Sequence, residues 1–493
     1  MSKLSDSEFS TVNLGDERRN QRVREFADRL LDSPDSSIQS ACRGWDETMG
    51  AYRFLNNASV DPESILESHR EALLERVKLQ PPESDLLFIQ DTTELDYSSK
   101  KQMKGRGPLA KSGENTRQGL FLHNHYVTSE EGLPLGNYGV KVYARDEQTG
   151  DGRKSPYEPI EGKESYRWLE GYREGCELAE AFPERQVWVI NDREGDIYEL
   201  FACRQQRLQD GQCAAQLLVR ANRDRRLLTT EDKPQEERLY EKIKEGRLLG
   251  IIEFEMTSAP PRRKKGFKKS PPRQARTVRQ ELRVSKLRLR PPYRMGQKLE
   301  PLTIWVVLAE EVNPPEGQEP VNWILNTSAP IKTFAQALKL MMLYTRRWQV
   351  EVFFRILKTG CRVEELQLKS HQAVLNALML YLVVAWRIHY LVHLGRGCPE
   401  LPCSVLFEVH EWRAALAVTR YQQNTKTKKA SPVSIPAKEE QPSLAEMLLV
   451  VAKLGGYLSR KNDPPPGAQC LWQGMDKVLH YAMAWEAMGH PLD

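Results

Sequence analysis

The chain lacks the features of a secreted, disulfide-stabilised or membrane-spanning protein. Its eight cysteines are scattered over 493 residues, and no two of them have the Cys-x-x-Cys spacing of a zinc or redox site. The longest apolar run, from about 375 to 386, is interrupted by Asn376 and is shorter than the ~20 residues that cross a bilayer. No signal peptide opens the sequence. We therefore expect a cytoplasmic protein without a membrane partner.

Acidic residues are nearly missing from one stretch. Between 262 and 294 there are fourteen lysines and arginines and a single acid, Glu281. That stretch carries +13, whereas the whole chain carries +5, so the remainder is near −8. This asymmetry is typical of a protein that binds a polyanion. The other residues have an ordinary globular composition, and the length predicts roughly two to four domains.

Residues 1 to about 70 predict a small helical module. Asp16 is placed to cap a helix whose polar face carries Arg18, Arg19 and Arg22. A second element ends near Asn57, and Asp61 opens a third helix. The basic face suits a DNA-binding head, but a solvated charged face accounts equally well for these residues.

Buried-type strands alternate with helices in the next segment. The strands are expected near 86–89, 119–127, 133–144, 187–190 and 215–220, with helices near 163–182 and 197–206. This order predicts an α/β fold in which helices pack on a mixed sheet. Asp91 and Asp192 each stand at the carboxyl end of a buried strand, where sites in α/β proteins are usually built.

The second half of the chain changes character several times. Residues 222–300 predict a β-rich insertion that contains the basic stretch, and buried strands return near 302–308 and 321–325. Further on, we expect strong helices over 371–421, a polar linker over 422–441, and last helices at 443–458 and 476–488.

The segment 343–358 predicts one continuous helix, because it contains good helix formers and no glycine or proline. At about 100° per residue, one arc of that helix carries Tyr344, Arg347, Glu351 and Lys358. A separate apolar stripe holds Met341, Trp348, Val352 and Ile356. The polar stripe has two interpretations: a solvated face with an Arg347–Glu351 ion pair, or a metal-binding acid with phosphate-binding neighbours.

Asp91, Asp192 and Glu351 together suit a magnesium site. Carboxylates with open coordination positions are the ligands that Mg²⁺ prefers, and two such ions can drive phosphodiester displacement. Arg347 and Lys358 would then hold phosphates, and Tyr344 would donate a hydrogen bond to one. Single acids are weak signals, since Asp91 can simply end a strand and Asp192 can cap a helix. Four neighbouring acids compete for the same roles: Glu94, Asp96, Glu194 and Asp196.

The spacing Tyr344-x-x-Arg347-x-x-x-Glu351 followed by Lys358 resembles the Y-R-E-K motif of bacterial cut-and-paste DDE transposases, the group of the transposon-five transposase and its insertion-sequence relatives. The resemblance covers about residues 14 to 375. It extends to Leu14-Gly15-Asp16 with its arginines, Gly50 to Phe54, Asp91-Thr92-Thr93, Asp192-Arg193-Glu194 with Asp196, and Leu308 to Pro315.

The resemblance implies a ribonuclease-H-like catalytic domain over 76–221 and 301–372, interrupted by the β-rich insertion. It implies a helical transposon-end-binding domain over 1–75 and a helical dimerisation domain over 373–493. Asp91, Asp192 and Glu351 would bind two Mg²⁺ ions, which Mn²⁺ can replace. The reaction would nick a transposon end, form and open a DNA hairpin, and join the 3′-hydroxyl to target DNA. The protein would act as a homodimer on double-stranded ends, associated with the bacterial nucleoid.

Two more residues gain a role from the resemblance. Trp323 corresponds to a tryptophan that the family inserts where a base is flipped, and Arg220 to an arginine that contacts DNA. Without the resemblance, Trp323 is equally well explained as a core residue of a strand. Two alternative functions remain: a related nuclease without strand transfer, and a non-catalytic DNA-binding regulator of transposition.

Overall fold

A computed structural model describes residues 3–109, 117–145, 155, 157–258, 273–425, 440–460, 463 and 465–488. The chain divides into two compact units. Unit 1 contains 1–81, 92–151 and 348–493, and unit 2 contains 82–91 and 152–347. The basic residues at 262–269 and most of the linker expected at 422–441 lie outside the described residues.

The described helices, in chain order, are α1 (Leu4–Ser7), α2 (Glu17–Asp32), α3 (Ile38–Ala41), α4 (Trp45–Leu55), α5 (Pro62–Lys78), α6 (Tyr166–Ala181), α7 (Tyr198–Gln209), α8 (Leu239–Lys242), α9 (Phe334–Arg346), α10 (Trp348–Arg355), α11 (His371–Gly397), α12 (Val409–Thr425), α13 (Leu444–Leu454) and α14 (Ala468–Ala487). The described strands are β1 (Leu86–Asp96), β2 (Gly107–Pro108), β3 (Gln118–Ser129), β4 (Pro134–Tyr143), β5 (Val187–Asn191), β6 (Gln216–Arg220), β7 (Arg226–Leu228), β8 (Pro234–Arg238), β9 (Arg247–Met256), β10 (Arg276–Leu289), β11 (Leu302–Glu311) and β12 (Trp323–Thr327).

Unit 2 is built on a mixed sheet, as the sequence predicts. Its strand order is β1-β5-β6-β12-β11-β10-β7-β8, with β9 also paired to β10. The pairs β1–β5 and β5–β6 are parallel, and β12 joins β6 antiparallel. Helix α6 packs closely on β1 and β5, because Gly175 has no side chain: a Cβ there would lie 2.5 Å from a methyl group of Val189. The long strands β9 and β10 confirm the β-rich character of the insertion.

Unit 1 joins the N-terminal helices to the strands β3 and β4 and to the later helices. Asp16 caps α2 by accepting a hydrogen bond from the N–H of Arg18, and Asp61 caps α5 through the N–H of Ser64. Both caps confirm sequence predictions. The core element is α11. Its length and composition alone would suit a membrane span, but 83% of its most apolar segment is buried inside the protein. The reading of this run as a core helix is therefore confirmed.

The last helices form an apolar cluster with the end of α11. Its fully buried members include Phe407, Met447 and Val451. Residues that stay exposed on the same helices include Tyr421, Met483 and Met488. The C-terminal region is thus helical with its own core, as the sequence predicts.

The expected single helix over 343–358 is wrong. Helix α9 ends at Arg346, and α10 starts at Trp348 and passes into a π-turn at Ile356–Gly360. The Thr345 hydroxyl donates to the carbonyl of Met342 at 2.6 Å, and the Arg347 N–H bonds to Tyr344 rather than four residues back. Such local bonds compete with the α-helical ladder, so the ladder is interrupted at Arg347. The predicted apolar stripe is wrong at Trp348, which is 48% exposed, whereas Met341 and Ile356 are buried as expected.

Candidate active site

Two acids follow the last paired residues of β1 and β5 in unit 2. Asp91 lies in the middle of β1, which continues to Asp96, so the prediction that this acid stands at the end of its strand is wrong, whereas Asp192 does follow the end of β5. The strands run parallel, with Ile89 opposite Ile190 and Gln90 opposite Asn191. Asp91 and Asp192 continue this register by one residue, and Asp192 keeps an extended backbone. Because side chains alternate along a strand, both carboxylates lie on the same face of neighbouring strands, which are about 4.8 Å apart.

Arg347 neutralises Asp91. Its Nη1 donates to Asp91 Oδ2 at 2.7 Å, and the two side chains are only 12% and 14% exposed. A half-buried carboxylate needs such a positive partner. The guanidinium therefore supplies the charge that a cation would otherwise bring to Asp91.

Asp192 also has a local role. Its Oδ1 accepts a 2.8 Å hydrogen bond from the N–H of Glu194 and so caps a 3₁₀ turn over Arg193–Gly195. The prediction that Asp192 caps the helical turn after it is thus confirmed. Capping uses one carboxylate oxygen, and the residue stays partly exposed, so it does not exclude a ligand role.

Tyr344, Trp323 and Arg220 lie together beside the two acids. The rings of Trp323 and Tyr344 meet edge to face at 5.4 Å, and the Arg220 guanidinium lies 5.8 Å from the Trp323 ring. Burial raises the pKa of Tyr344, although Arg347 and Arg220 act in the opposite direction. The phenol is therefore protonated at neutral pH. Its hydroxyl lies close enough to the Arg220 guanidinium to interact with it, but makes no hydrogen bond of good geometry among the described residues.

Arg193 belongs to the same group, although sequence reasoning assigned it no role. Its charge, together with that of Arg347, contributes to the lowered pKa of Arg220, for which burial is the main cause. Arg193 is exposed. Arg220, Arg347 and Asp192 all act on the buried phenol of Tyr344, and Arg193 acts on Arg220; this group of cations around a phenol suits phosphate oxygens.

The four competing acids are engaged elsewhere. Asp196 is 2% exposed and accepts hydrogen bonds from the N–H groups of Asn222 and Arg223, and it pairs with Arg225. Glu194 pairs with Arg167, and Arg117 pairs with both Glu94 and Asp96. Asp91 is paired as well, with Arg347, so it is the parallel register of β1 and β5 that distinguishes Asp91 and Asp192 from these four acids.

Glu351 and Lys358 belong to unit 1. Glu351 lies in the first turn of α10 and is partly exposed. The Lys358 ammonium donates to the carbonyl of Glu94 at 2.5 Å and lies 3.4 Å from Glu364. Lys358 thus ties the end of α10 to the second half of β1 in this unit. Its predicted phosphate contact, like the ligand role of Glu351, stays a prediction.

The three N-terminal arginines differ in their surroundings. Arg18 is exposed, whereas Arg19 donates to the carbonyls of Leu14 and Ser59, and Arg22 pairs with Glu25. The predicted DNA-binding face therefore contains one fully exposed cation and two that also hold the module together.

Trp348 is the second residue that sequence reasoning missed. Its helical spacing suggested a core position, but the ring is exposed directly after Arg347. An exposed aromatic ring next to an arginine is a common feature of nucleic-acid surfaces, and this adjacency was visible in the sequence.

The donor chemistry of this site fits a hard divalent cation. Asp91 and Asp192 offer carboxylate oxygens on one face, which suits Mg²⁺. Among the described residues, no group of three His, Cys, Asp or Glu side chains is already close enough to hold a metal ion. Since Arg347 holds Asp91, a metal at that carboxylate requires the guanidinium to move away.

Three family models match the chain. The Transposase DNA-binding model covers residues 1–60, the Transposase DDE domain model covers 146–387, and the Transposase Tn5 dimerisation domain model covers 383–486. The DDE match includes Asp192 and Glu351 and begins after Asp91. Asp91 lies outside this match, but the register of β1 and β5 places it next to Asp192 and so connects it to the same site.

The matches and the paired acids define a DDE transposase, a class that uses divalent metal ions. With the dimerisation model at the C-terminus, the chain belongs to the Tn5-like DDE transposases. The resemblance found in the sequence is thereby confirmed. The ribonuclease-H-like fold follows from the DDE domain and agrees with the mixed sheet of unit 2. The protein is a DNA-binding transposase with a dimerisation domain.

The buried hydroxyl of Tyr344 leads to a first prediction. Tyr344→Phe should slow cleavage of end DNA about 10- to 100-fold, since a hydrogen bond to a charged group is worth ~1.5–3 kcal/mol. The melting temperature should hardly change, because the hydroxyl has no partner of good geometry to lose among the described residues. Single-turnover cleavage and a melting curve measure both effects. A variant that cuts as fast as the parent would show that the phenol contacts no phosphate.

Proposed function

We propose that this transposase cuts transposon ends through a hairpin intermediate and joins the freed 3′-hydroxyl ends to target DNA. The observation that carries the proposal is the register of β1 and β5, which aligns Asp91 with Asp192. The surrounding cations support it, because Arg347, Arg220 and Arg193 create the positive environment that a scissile phosphate needs.

Asp91, Asp192 and Glu351 are the proposed ligands of two Mg²⁺ ions, which Mn²⁺ can replace. When bound, such ions activate a water or a 3′-hydroxyl and stabilise the leaving oxygen. The assignment of Glu351 rests on its place in the Y-R-E-K motif and on the chemistry of its carboxylate.

Arg347 has two proposed partners. In the absence of DNA its guanidinium holds Asp91, and in the complex it would hold a phosphate next to the scissile bond. The buried carboxylate of Asp91 would then be neutralised by Arg347 before DNA binds and by the metal ions in the complex. Tyr344 would donate its hydroxyl to the same phosphate, and Trp323 would insert beside a flipped base.

DNA binding and assembly are assigned to the other regions. Arg18, Arg19 and Arg22 lie on α2, within the region matched by the DNA-binding model, and we assign them to contacts with the transposon end. The helices matched by the dimerisation model would pair two copies on two ends in a synaptic complex. The proposed domain limits remain 1–75, 76–221 with 301–372, 222–300, and 373–493.

The products formed on labelled end DNA test the proposal. A duplex carrying the terminal inverted repeat should give a nicked strand, then a hairpin, then joined product when a target plasmid is present. Asp192→Asn serves as the control for contaminating nuclease. If only the nick accumulates, the protein is a nuclease without strand transfer. If nothing is cut while the end is bound, it is a non-catalytic regulator.

A further inference from the structure

A hydrogen-bond network in unit 1 runs from the buried Tyr126 and His389 to the partly buried Gln349 on α10, the helix that carries Glu351. The side-chain oxygen of Gln349 lies 3.2 Å from Nε2 of His389 and 2.8 Å from Nε2 of His393. Both histidines belong to α11 and are one turn apart. Nδ1 of His389 lies 2.8 Å from the hydroxyl of Tyr126 on β3. One glutamine therefore links α10 to a helix and a strand.

The chemistry of the network allows a complete set of donors and acceptors. An amide oxygen only accepts, so both imidazoles donate to Gln349 from Nε2. Burial lowers the pKa of His389 well below its ordinary value, so this ring is neutral. A neutral ring with a proton on Nε2 accepts at Nδ1, and the Tyr126 hydroxyl donates there. Each polar atom from Tyr126 to the Gln349 oxygen thus has its partner, as burial demands.

The same elements fix the rotation of α10 about its axis. Phe353 follows Gln349 by four residues, lies on the same side of the helix, and stacks on the Tyr126 ring at 4.7 Å. Glu351 follows Gln349 by two residues and is therefore turned by about 200°. Contacts at Gln349 and Phe353 thus direct Glu351 away from α11.

Helix α10 depends on outside contacts for its orientation. It has eight residues, it begins after the interruption at Arg347, and it ends in the π-turn at Ile356–Gly360. A helix this short is marginal by itself, so tertiary contacts determine its position. The polar contacts of Gln349 add direction to the non-directional packing of Phe353.

We propose that Gln349, held by His389 and His393, is a positioning residue that sets the direction of the Glu351 carboxylate for metal binding. The proposal rests on the proposed function, in which Glu351 is a metal ligand. Residues that orient metal ligands without touching the metal typically change metal affinity 10- to 100-fold when they are replaced.

The test is a Mn²⁺ titration of the full-length protein bound to end DNA, followed by the electron paramagnetic resonance signal of free Mn²⁺. Gln349→Leu should raise the Kd for Mn²⁺ about 10- to 100-fold. Gln349→Glu should restore most of the affinity, because it keeps an acceptor for both histidines. Gln372→Leu is the matched control. That glutamine donates to the carbonyl of Val60 at 3.0 Å and to Asn376 at 3.2 Å. Its loss should lower the melting temperature without changing the Kd for Mn²⁺.

Two comparisons separate this proposal from the proposed function. Glu351→Gln should itself weaken Mn²⁺ binding, and if it does not, the metal site is wrongly assigned. If Glu351→Gln weakens binding but Gln349→Leu does not, Glu351 remains a ligand and the positioning role of Gln349 is refuted. Should Gln349→Leu fail to fold, His393→Leu at a partly exposed position replaces it. This variant should raise the Kd in the same direction by a smaller factor, and an unchanged Kd would overturn the proposal.

Discussion

Asp192→Asn and Asp91→Asn will each lower DNA cleavage by about 1,000-fold or more while leaving end binding intact. Each substitution keeps the shape of the side chain but removes the charge that holds a cation. Metal ions supply several kcal/mol of transition-state stabilisation, and ~4 kcal/mol corresponds to about a thousandfold in rate. End binding should persist because the N-terminal module matched by the DNA-binding model contains neither acid.

The measurement is single-turnover cleavage of labelled end DNA in Mg²⁺, with a gel-shift assay of the same samples. Asp196→Asn is an informative comparison, because this neighbouring acid is buried among N–H donors and pairs with Arg225. That variant should lose stability. Normal cleavage by Asp192→Asn in a folded sample would refute the assignment of the site.

Glu8→Gln will destabilise unit 1 by about 3–5 kcal/mol, the usual cost of breaking a buried ion pair. Glu8 is 1% exposed, and both of its oxygens accept from Arg76, at 2.7 and 3.1 Å. Nδ1 of His69 lies 2.6 Å from the same carboxylate. Nε2 of His69 accepts the N–H of Asn137, so this buried ring is neutral. The substitution leaves Arg76, which also packs on Trp386 at 4.1 Å, without its anionic partner.

Chemical denaturation at pH 7 measures this loss. Glu67→Gln is the matched control: Glu67 lies on α5, the helix that carries His69 and Arg76, and forms a more solvent-exposed pair with Arg70. Exposed pairs contribute ~0–1 kcal/mol, so the control should unfold almost like the parent. Equal effects of the two substitutions would show that the Glu8 cluster does not stabilise the fold.

The same cluster predicts a loss of stability in acid. Burial lowers the pKa of His69 from its ordinary 6.5, so folding favours the neutral ring, and this contribution is lost as the pH falls below about 6.5. Burial alone would raise the pKa of Glu8, but His69 and Arg76 outweigh it, and the pKa lies below the ordinary 4.5. The Glu8 contribution is therefore present above pH 4.5 and is lost as the pH falls through the lowered pKa. Arg387 also lies near Glu8, and its charge does not change over this range. The free energy of unfolding should thus decrease from pH 7 to pH 4. In Glu8→Gln, the share of this decrease that occurs below pH 4.5 should be absent.

Local signals made much of the fold predictable. Asp16 and Asp61 mark helix starts through their own backbone hydrogen bonds, so α2 and α5 begin where the sequence indicates. Strand β5 and the first half of β1 are short apolar runs, and that character reflects their burial in a parallel pair, whereas the polar second half of β1 was not expected to continue the strand so far. Because Asp91 and Asp192 come directly after these paired apolar runs, the sequence was sufficient to predict that the two acids lie next to each other.

Features that depend on distant residues were not predictable. The interruption at Arg347 is a local exception: the Thr345 hydroxyl bonds to the carbonyl of Met342 in a helix that composition alone favours, and hydrophobic periodicity does not register such a bond. The side-chain contacts of Gln349 depend on two histidines of α11 that come forty or more residues later. Hydrophobic periodicity placed Trp348 in the core because periodicity measures residue type and not the packing partners that are present. The family resemblance identified Arg220 and Trp323, which no local pattern marks.

The most direct test of the account is a change of metal specificity at Asp192. Asp192→Cys should be inactive in Mg²⁺, which prefers oxygen ligands, and should regain cleavage in Mn²⁺, which tolerates a sulfur ligand better. Asp192→Ser has a similar size without a thiolate and should stay inactive with both metals. This result would show that the side chain at 192 binds the catalytic metal. Equal behaviour of the cysteine and serine variants in Mn²⁺, or full activity of either in Mg²⁺, would contradict the proposed site.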